Sequence, residues 1–145
     1  LSRASERKGR GMESRVEAAA DRHSRGYNCA QAVACTYADL VGVTEEDMFR
    51  LTSGLGLGMG SMEGTCGALS GACLLTSALP HGEGGKAAAY AASRKLVERF
   101  RSEAGATRCR DIKGIDTGTV LCPCQGCVIR AAGIVEDVLL ADKNV

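Results

Sequence analysis

A chain of 145 residues is one domain by length and can bury a single sizeable core. Apolar residues at 45% and charged residues at 24% give a soluble, globular balance, and two Phe, three Tyr and no Trp leave little aromatic surface for stacking on bases. A net charge of +1 builds no field toward nucleic acid or anionic lipid, so neither is an expected partner.

The first eleven residues hold four basic side chains and one acidic one. They read as a disordered tail or cloning remnant, with the domain spanning 12–145 from Met12. They have no apolar core of a signal peptide, and no run of about 18 apolar residues follows, so membrane insertion is not expected. The expected compartment is the cytoplasm.

The first helix runs from Glu13 to Arg25 and ends before Gly26. The second opens at Asn28, a good N-cap, and reaches Val41 with Cys29, Val33, Thr36, Tyr37 and Leu40 on one face. A short third helix starts at Thr44, where Thr-Glu-Glu-Asp resembles a capping box, and stops before Gly54. A Gly-rich connector, Gly54 to Gly60, has glycine at every second position. It fits neither a dinucleotide fingerprint nor a P-loop, and no strand precedes it.

The fourth helix begins near Gly64 or Thr65 and ends before Pro80. The fifth covers Lys86 to Ala104, with Gly105 as its stop. An irregular stretch from Ala106 to Pro123 leads into the last helix, Cys124 to Ala141, whose stripe is Val128, Ala131, Ala132, Val135, Val138 and Leu139. Few prolines and abundant alanine agree with this pattern. The expected fold class is all-α, a single bundle of five to six helices.

Eight cysteines in a chain expected in a reducing compartment point to metal ligation or redox chemistry more than to disulfides. Cys35 lies about 240° around the helix from Cys29, so the two face apart. Cys66 and Cys73 share a face but sit about 10 Å apart, too far for a disulfide. Cys66 therefore needs a partner from another segment, and Cys73 reads as a core residue. Cys66 also sits at a helix start, which favours its thiolate. Arg108 and Arg110 flank Cys109 and should favour its thiolate too.

Cys122-Pro-Cys-Gln-Gly-Cys127 is the densest cluster, and Cys124 and Cys127 form a C-x-x-C at a helix start. A zinc ribbon would want a second such pair, and there is none. Small residues Gly67, Ala68 and Gly71 recur beside Cys66. They can admit a helix or a cofactor close to the backbone and offer backbone N–H groups to sulfur. Their cofactor-binding role is the sharper reading; tight helix packing alone also explains them.

Four segments carry a resemblance: Tyr27-Asn-Cys29-Ala-Gln-Ala-Val33; Gly58-Met-Gly60 with Gly64-Thr-Cys66-Gly-Ala-Leu-Ser-Gly71; Cys109-Arg-Asp-Ile-Lys-Gly114; and Cys124-Gln-Gly-Cys-Val128-Ile-Arg-Ala131-Ala132. In this order they resemble the C_GCAxxG_C_C family of redox-active proteins, over about Glu13 to Leu140. The central motif departs from the family name in reading Cys66-Gly67-Ala68. The resemblance implies an all-helical domain with four signature cysteines, Cys29, Cys66, Cys109 and one of Cys124 or Cys127. Cys124 is preferred because it stands before the Val and paired Ala at the family's spacing.

Three chemistries remain open. Four thiolates can hold an iron–sulfur cluster and pass electrons to or from a partner protein. Cysteine pairs, with Cys124/Cys127 or Cys66 attacking, can exchange with disulfides. Four cysteines can hold a structural zinc in an interaction module. His81 in the loop after Pro80 reads as a solvated histidine rather than a ligand. Arg94, Lys95, Arg99 and Arg101 read as the solvated face of the fifth helix, with docking of an acidic redox partner as the sharper alternative. A homodimer is compatible with all three chemistries.

Overall fold

A computed structural model describes residues 13–78 and 85–141. His81 and residues 1–12 lie outside them, as do the readings placed there. The described residues are all-α: α1 (Val16–Ser24), α2 (Cys29–Thr36), α3 (Glu45–Thr52), α4 (Gly67–Ala78), α5 (Gly85–Ala104), α6 (Cys109–Lys113) and α7 (Cys124–Val135). No strand occurs among them beyond an isolated antiparallel bridge between Thr65 and Arg108.

The helix starts follow local chemistry. The Asn28 side chain accepts from Gln31 N at 2.9 Å, and Gln31 Oε1 accepts from Asn28 N at 2.9 Å, which closes a capping box on α2. Thr44 Oγ1 accepts from Asp47 N at 3.1 Å and starts α3. Gly105, with φ +94°, terminates α5 in the left-handed conformation.

Several boundaries differ from the sequence reading. The second helix stops at Thr36 and passes through Tyr37 into a 3₁₀ turn, Ala38–Val41. That change of pitch turns Leu40 outward, to 39% exposure, while Tyr37 is buried. The Gly-rich connector is folded into a 3₁₀ turn, Ser53–Leu55, and a wide turn, Gly58–Met62, with Leu57, Met59 and Met62 in left-handed conformations. The stretch read as irregular contains the helix α6. After Val135 the last helix widens into a π turn, Glu136–Leu140.

The core lies between α2, α4, α5 and α7, filled by Val33, Leu69, Leu75, Leu96, Phe100, Val128 and Ile134. Helices α2 and α4 pack tightly at Gly71, where a Cβ would sit 2.7 Å from the Ala30 carbonyl oxygen. Tyr37 OH donates to the buried Glu136 carboxylate, which also accepts from Arg15 N at 2.7 Å and so ties α1 to the end of the chain. No helix of the described residues is long and apolar enough to cross a membrane.

Candidate functional site

Six of the eight cysteines line one cavity of about 190 Å³: Cys29, Cys66, Cys109, Cys122, Cys124 and Cys127. Each comes from a helix start. Cys29, Cys109 and Cys124 are the first residues of α2, α6 and α7, Cys66 immediately precedes α4, and Cys127 lies in the first turn of α7. Positive helix ends therefore face the cavity, an environment that favours negative sulfur.

The segments are held in place by backbone bonds. Cys66 N donates to Thr107 O at 2.7 Å and Cys109 N to Gly64 O at 3.0 Å, which sets Cys66 and Cys109 side by side. Gly58, at φ +56°, passes so close beneath Cys109 that a Cβ there would lie 2.4 Å from the Cys109 Cβ. Only glycine satisfies both the conformation and the space. The Gly67 Cβ position meets Leu55 O at 3.1 Å, Gly56 Cα at 3.2 Å and Ala30 N at 3.3 Å, so Gly67 serves the approach of α2 and the connector while also lining the cavity. Gly71 faces Ala30, and the backbone N–H groups of Ala68 and Leu69 point at the Cys66 sulfur.

Two sulfur pairs dominate the electrostatics. The Cys29 thiol donates to Cys124, which raises Cys29 strongly, with burial adding to the effect. Cys124 is pulled down to about 5 by that bond; burial opposes the shift, and the hydrogen bond and charge of Lys113 and the nearby His23 assist it. Lys113 Nζ donates to Cys124 Sγ at 3.3 Å, and Lys113 is itself raised. The Cys127 thiol donates to Cys66 in the same way. Cys66 is pulled down to about 7 by that bond, against burial and with help from the amides of Ala68 and Leu69, while Cys127 is raised strongly.

Cys109 departs from the sequence reading. Burial, reinforced by the neighbouring Cys66 sulfur, raises it instead of lowering it. The flanking arginines turn away to carboxylates: Arg108 to Asp111 at 3.0 Å and Glu63 at 3.3 Å, and Arg110 to Asp116 at 2.8 Å. Their charge is spent at the surface, where a guanidinium finds a bidentate partner more readily than a buried thiol.

The C-x-x-C does not act as one unit. Its two sulfurs turn to different helices, Cys124 to Cys29 and Cys127 to Cys66. Cys35 and Cys73 lie outside the cavity. Cys35 Sγ donates to Glu45 O at 3.8 Å, and Cys73 has Ser93 beside it.

The sequence reading missed six cavity residues: His23, Lys113 and Cys122, which carry chemistry, and Asn28, Leu57 and Ile112. Lys113 carried a signal, since it follows Cys109 by one helical turn. His23 carried none, because α1 reaches the cavity only in the folded chain. Its Nε2 lies 3.9 Å from Cys29 Sγ. Gln125 fixes its orientation: Gln125 Nε2 donates to Ala20 O at 3.2 Å, which leaves Oε1 to accept from His23 Nδ1. Among the described residues, no three His, Cys, Asp or Glu side chains converge on a point that one metal ion could occupy.

The family model described as "Putative redox-active protein (C_GCAxxG_C_C)" matches residues 27–138, more than half of the chain. The chain belongs to this family. It is a cysteine-rich, redox-active, all-α protein of the C_GCAxxG_C_C type. No curated protein and no solved structure matches it.

Proposed function

We propose that this C_GCAxxG_C_C protein holds an iron–sulfur cluster in its cysteine-lined cavity and exchanges electrons with a partner oxidoreductase. The observation that carries this reading is the convergence of thiols from separate helix starts on one cavity of about 190 Å³. A donor set dominated by sulfur, six thiols with one imidazole beside them, around a space wider than a single ion needs, fits a polynuclear centre. Cys29, Cys66, Cys109 and Cys124 would hold it, with Cys127 next to Cys66 as the competing ligand. When bound, the cluster supplies one-electron chemistry at a potential set by its charge, its hydrogen bonds and its exposure.

The chain's own residues prepare the site. Lys113 and the amides of Ala68 and Leu69 stabilise negative sulfur. Leu57 and Ile112 form apolar walls that limit water. A site built from six free thiols suits a reducing compartment such as the cytoplasm.

The test is an anaerobic purification followed by a visible spectrum and assays of iron, zinc and acid-labile sulfide. Broad absorption near about 400 nm with matching iron and sulfide is the expected result. A colourless, iron-free protein overturns the reading.

A second reading is favoured by one specific observation, the low-lying Cys124 thiolate beside both Lys113 and the protonated Cys29. This is the arrangement of an attacking and a resolving cysteine. Cys124 would attack a substrate disulfide and release one thiol. Cys29 would then attack Cys124 in the mixed disulfide, releasing the second thiol and leaving a Cys29–Cys124 bond. Metal-free protein whose thiol count falls by two on oxidation, at Cys29 and Cys124, would favour this mechanism. A zinc module has less support, because no three donors among the described residues converge on one ion position.

A further inference from the structure

Cys122 stands outside the four-cysteine signature, and Cys127 is not needed in it when Cys124 is the fourth cysteine, yet the two meet. Pro123 is the N-cap of α7, so Cys122 is the residue before the cap and Cys127 is the fourth residue of the helix. Side chains at these two positions pack against each other at many helix starts, where both are usually apolar. Here both are thiols. The Cys127 thiol has Cys122 as a hydrogen-bond partner, and Cys127 Sγ also lies 3.8 Å from the Cys122 carbonyl oxygen.

Gly126 keeps this lane open. A Cβ at that position would come within 3.1 Å of Cys122 Sγ and 3.2 Å of Arg130 Nη1. Arg130 Nη1 donates to Cys122 Sγ at 3.4 Å and holds it against the helix. Both sulfurs are buried from bulk solvent, but both line the cavity of about 190 Å³, which is roomy enough for a peroxide.

We propose that Cys122 and Cys127 form a second redox site, a dithiol that a peroxide closes to a disulfide across the start of α7. Cys122, which has the guanidinium beside it, attacks one peroxide oxygen. The O–O bond breaks, the sulfur becomes a sulfenic acid, and the leaving hydroxide takes a proton to become water. Cys127 then attacks the sulfenic sulfur. The S–O bond breaks, the S–S bond forms, and the departing hydroxide leaves as a second water with the thiol proton. The protein loses two electrons and two protons to the peroxide, and a small thiol reverses the reaction by exchange.

Closure also withdraws the S–H that Cys127 offers to Cys66. This consequence couples the dithiol to the main cavity and rests on the cluster reading; the closure itself does not.

The test is made on the full chain after reduction and metal removal, so that its outcome does not depend on the cluster. The protein is treated with stepwise hydrogen peroxide, its free thiols are alkylated, and its peptides are weighed. Tryptic cleavage leaves Cys122, Cys124 and Cys127 on one peptide, so the Cys124→Ser variant is run in parallel. The expected result is early, paired protection of Cys122 and Cys127, with the mass of two hydrogens lost and regained with dithiothreitol. Cys124→Ser retains the bond, whereas Cys122→Ser and Cys127→Ser abolish it. A Cys29–Cys124 or Cys66–Cys127 bond in the wild-type protein instead, or no linkage at all, overturns the proposal, and this mapping requires no variant to fold. Iron and sulfide assayed on the as-isolated protein judge the cluster reading separately.

Discussion

In the Cys29–Cys124 pair the negative sulfur is Cys124, and its support beyond the shared thiol proton comes from side chains, Lys113 at 3.3 Å and the nearby His23. In the Cys66–Cys127 pair the negative sulfur is Cys66, and its support comes from the backbone, the amides of Ala68 and Leu69 at the start of α4. Each pair thus holds one sulfur that ionises readily and one that keeps its proton. Side-chain support is removed by one substitution. Backbone support is part of the helix and changes only if α4 moves. The pairs therefore divide the site into a tunable half and a fixed half.

The largest expected effect comes from removing one sulfur from either half. If both halves hold the same cluster, Cys29→Ser and Cys66→Ser each reduce bound iron and sulfide to background, measured on anaerobically purified protein. Undiminished metal in either variant would show that the half concerned is not a ligand and would break the symmetry between the pairs.

A smaller effect is expected where the halves are joined. The fixed half depends on the close approach of α4 to α2, which Gly71 permits beside the Ala30 carbonyl. Gly71→Ala places a Cβ against rigid backbone, so the gain in helix propensity is outweighed by overpacking. A loss of about 1–3 kcal/mol is expected in urea denaturation. An unchanged midpoint would mean that the helices separate without cost.

The sequence made some of this arrangement legible and hid the rest for physical reasons. Asn28, Thr44 and Gly105 act through local backbone chemistry, so the helix ends they mark could be read directly. Cys66 needed a partner from another segment, and the family motifs brought Cys29, Cys109 and Cys124 to attention. The pairing itself was not legible. It depends on where the α7 start comes to rest between α2 and α4, and that placed Cys124 and Cys127 against different partners despite their adjacency. Local charge misled at Cys109, because the nearest carboxylates compete for Arg108 and Arg110. The Gly-rich connector looked featureless because its order comes from tertiary fit, as at Gly58 beneath Cys109.

The division into halves has a pH signature. Cys124 at about 5 is thiolate throughout the neutral range, so its alkylation rate in metal-free protein should level off above about pH 5. Cys66 at about 7 is half-ionised near neutrality, so its rate should still climb through about pH 7. Lys113→Met removes a cation that favours the Cys124 thiolate. The Cys124 midpoint should move up by about one unit or more, because the charged form has lost its partner. The Cys66 midpoint should stay, since its amides are untouched. Equal movement of both midpoints would show that the pairs titrate as one network and not as two.

The smallest effects belong to the cysteines outside the cavity, and they show what the site adds to an ordinary thiol. Cys35 is buried in the core, and burial, reinforced by Glu45, pushes it up to about 11. Its neighbour is the Glu45 carbonyl oxygen, which accepts the thiol proton and offers nothing to a thiolate. Cys73 is likewise pushed up by burial, only partly offset by Ser93. Neither has another cysteine among its causes of shift, and the one cation involved, Arg22 near Cys35, does not offset burial there. Cys35→Ala and Cys73→Ala should therefore leave iron content and the two alkylation profiles unchanged, and each should cost about 1 kcal/mol or less in denaturation. A fall in bound iron in either variant would show that burial in this core transmits to the cavity, for Cys73 through α4, which Cys66 immediately precedes, and for Cys35 through α2, which begins at Cys29.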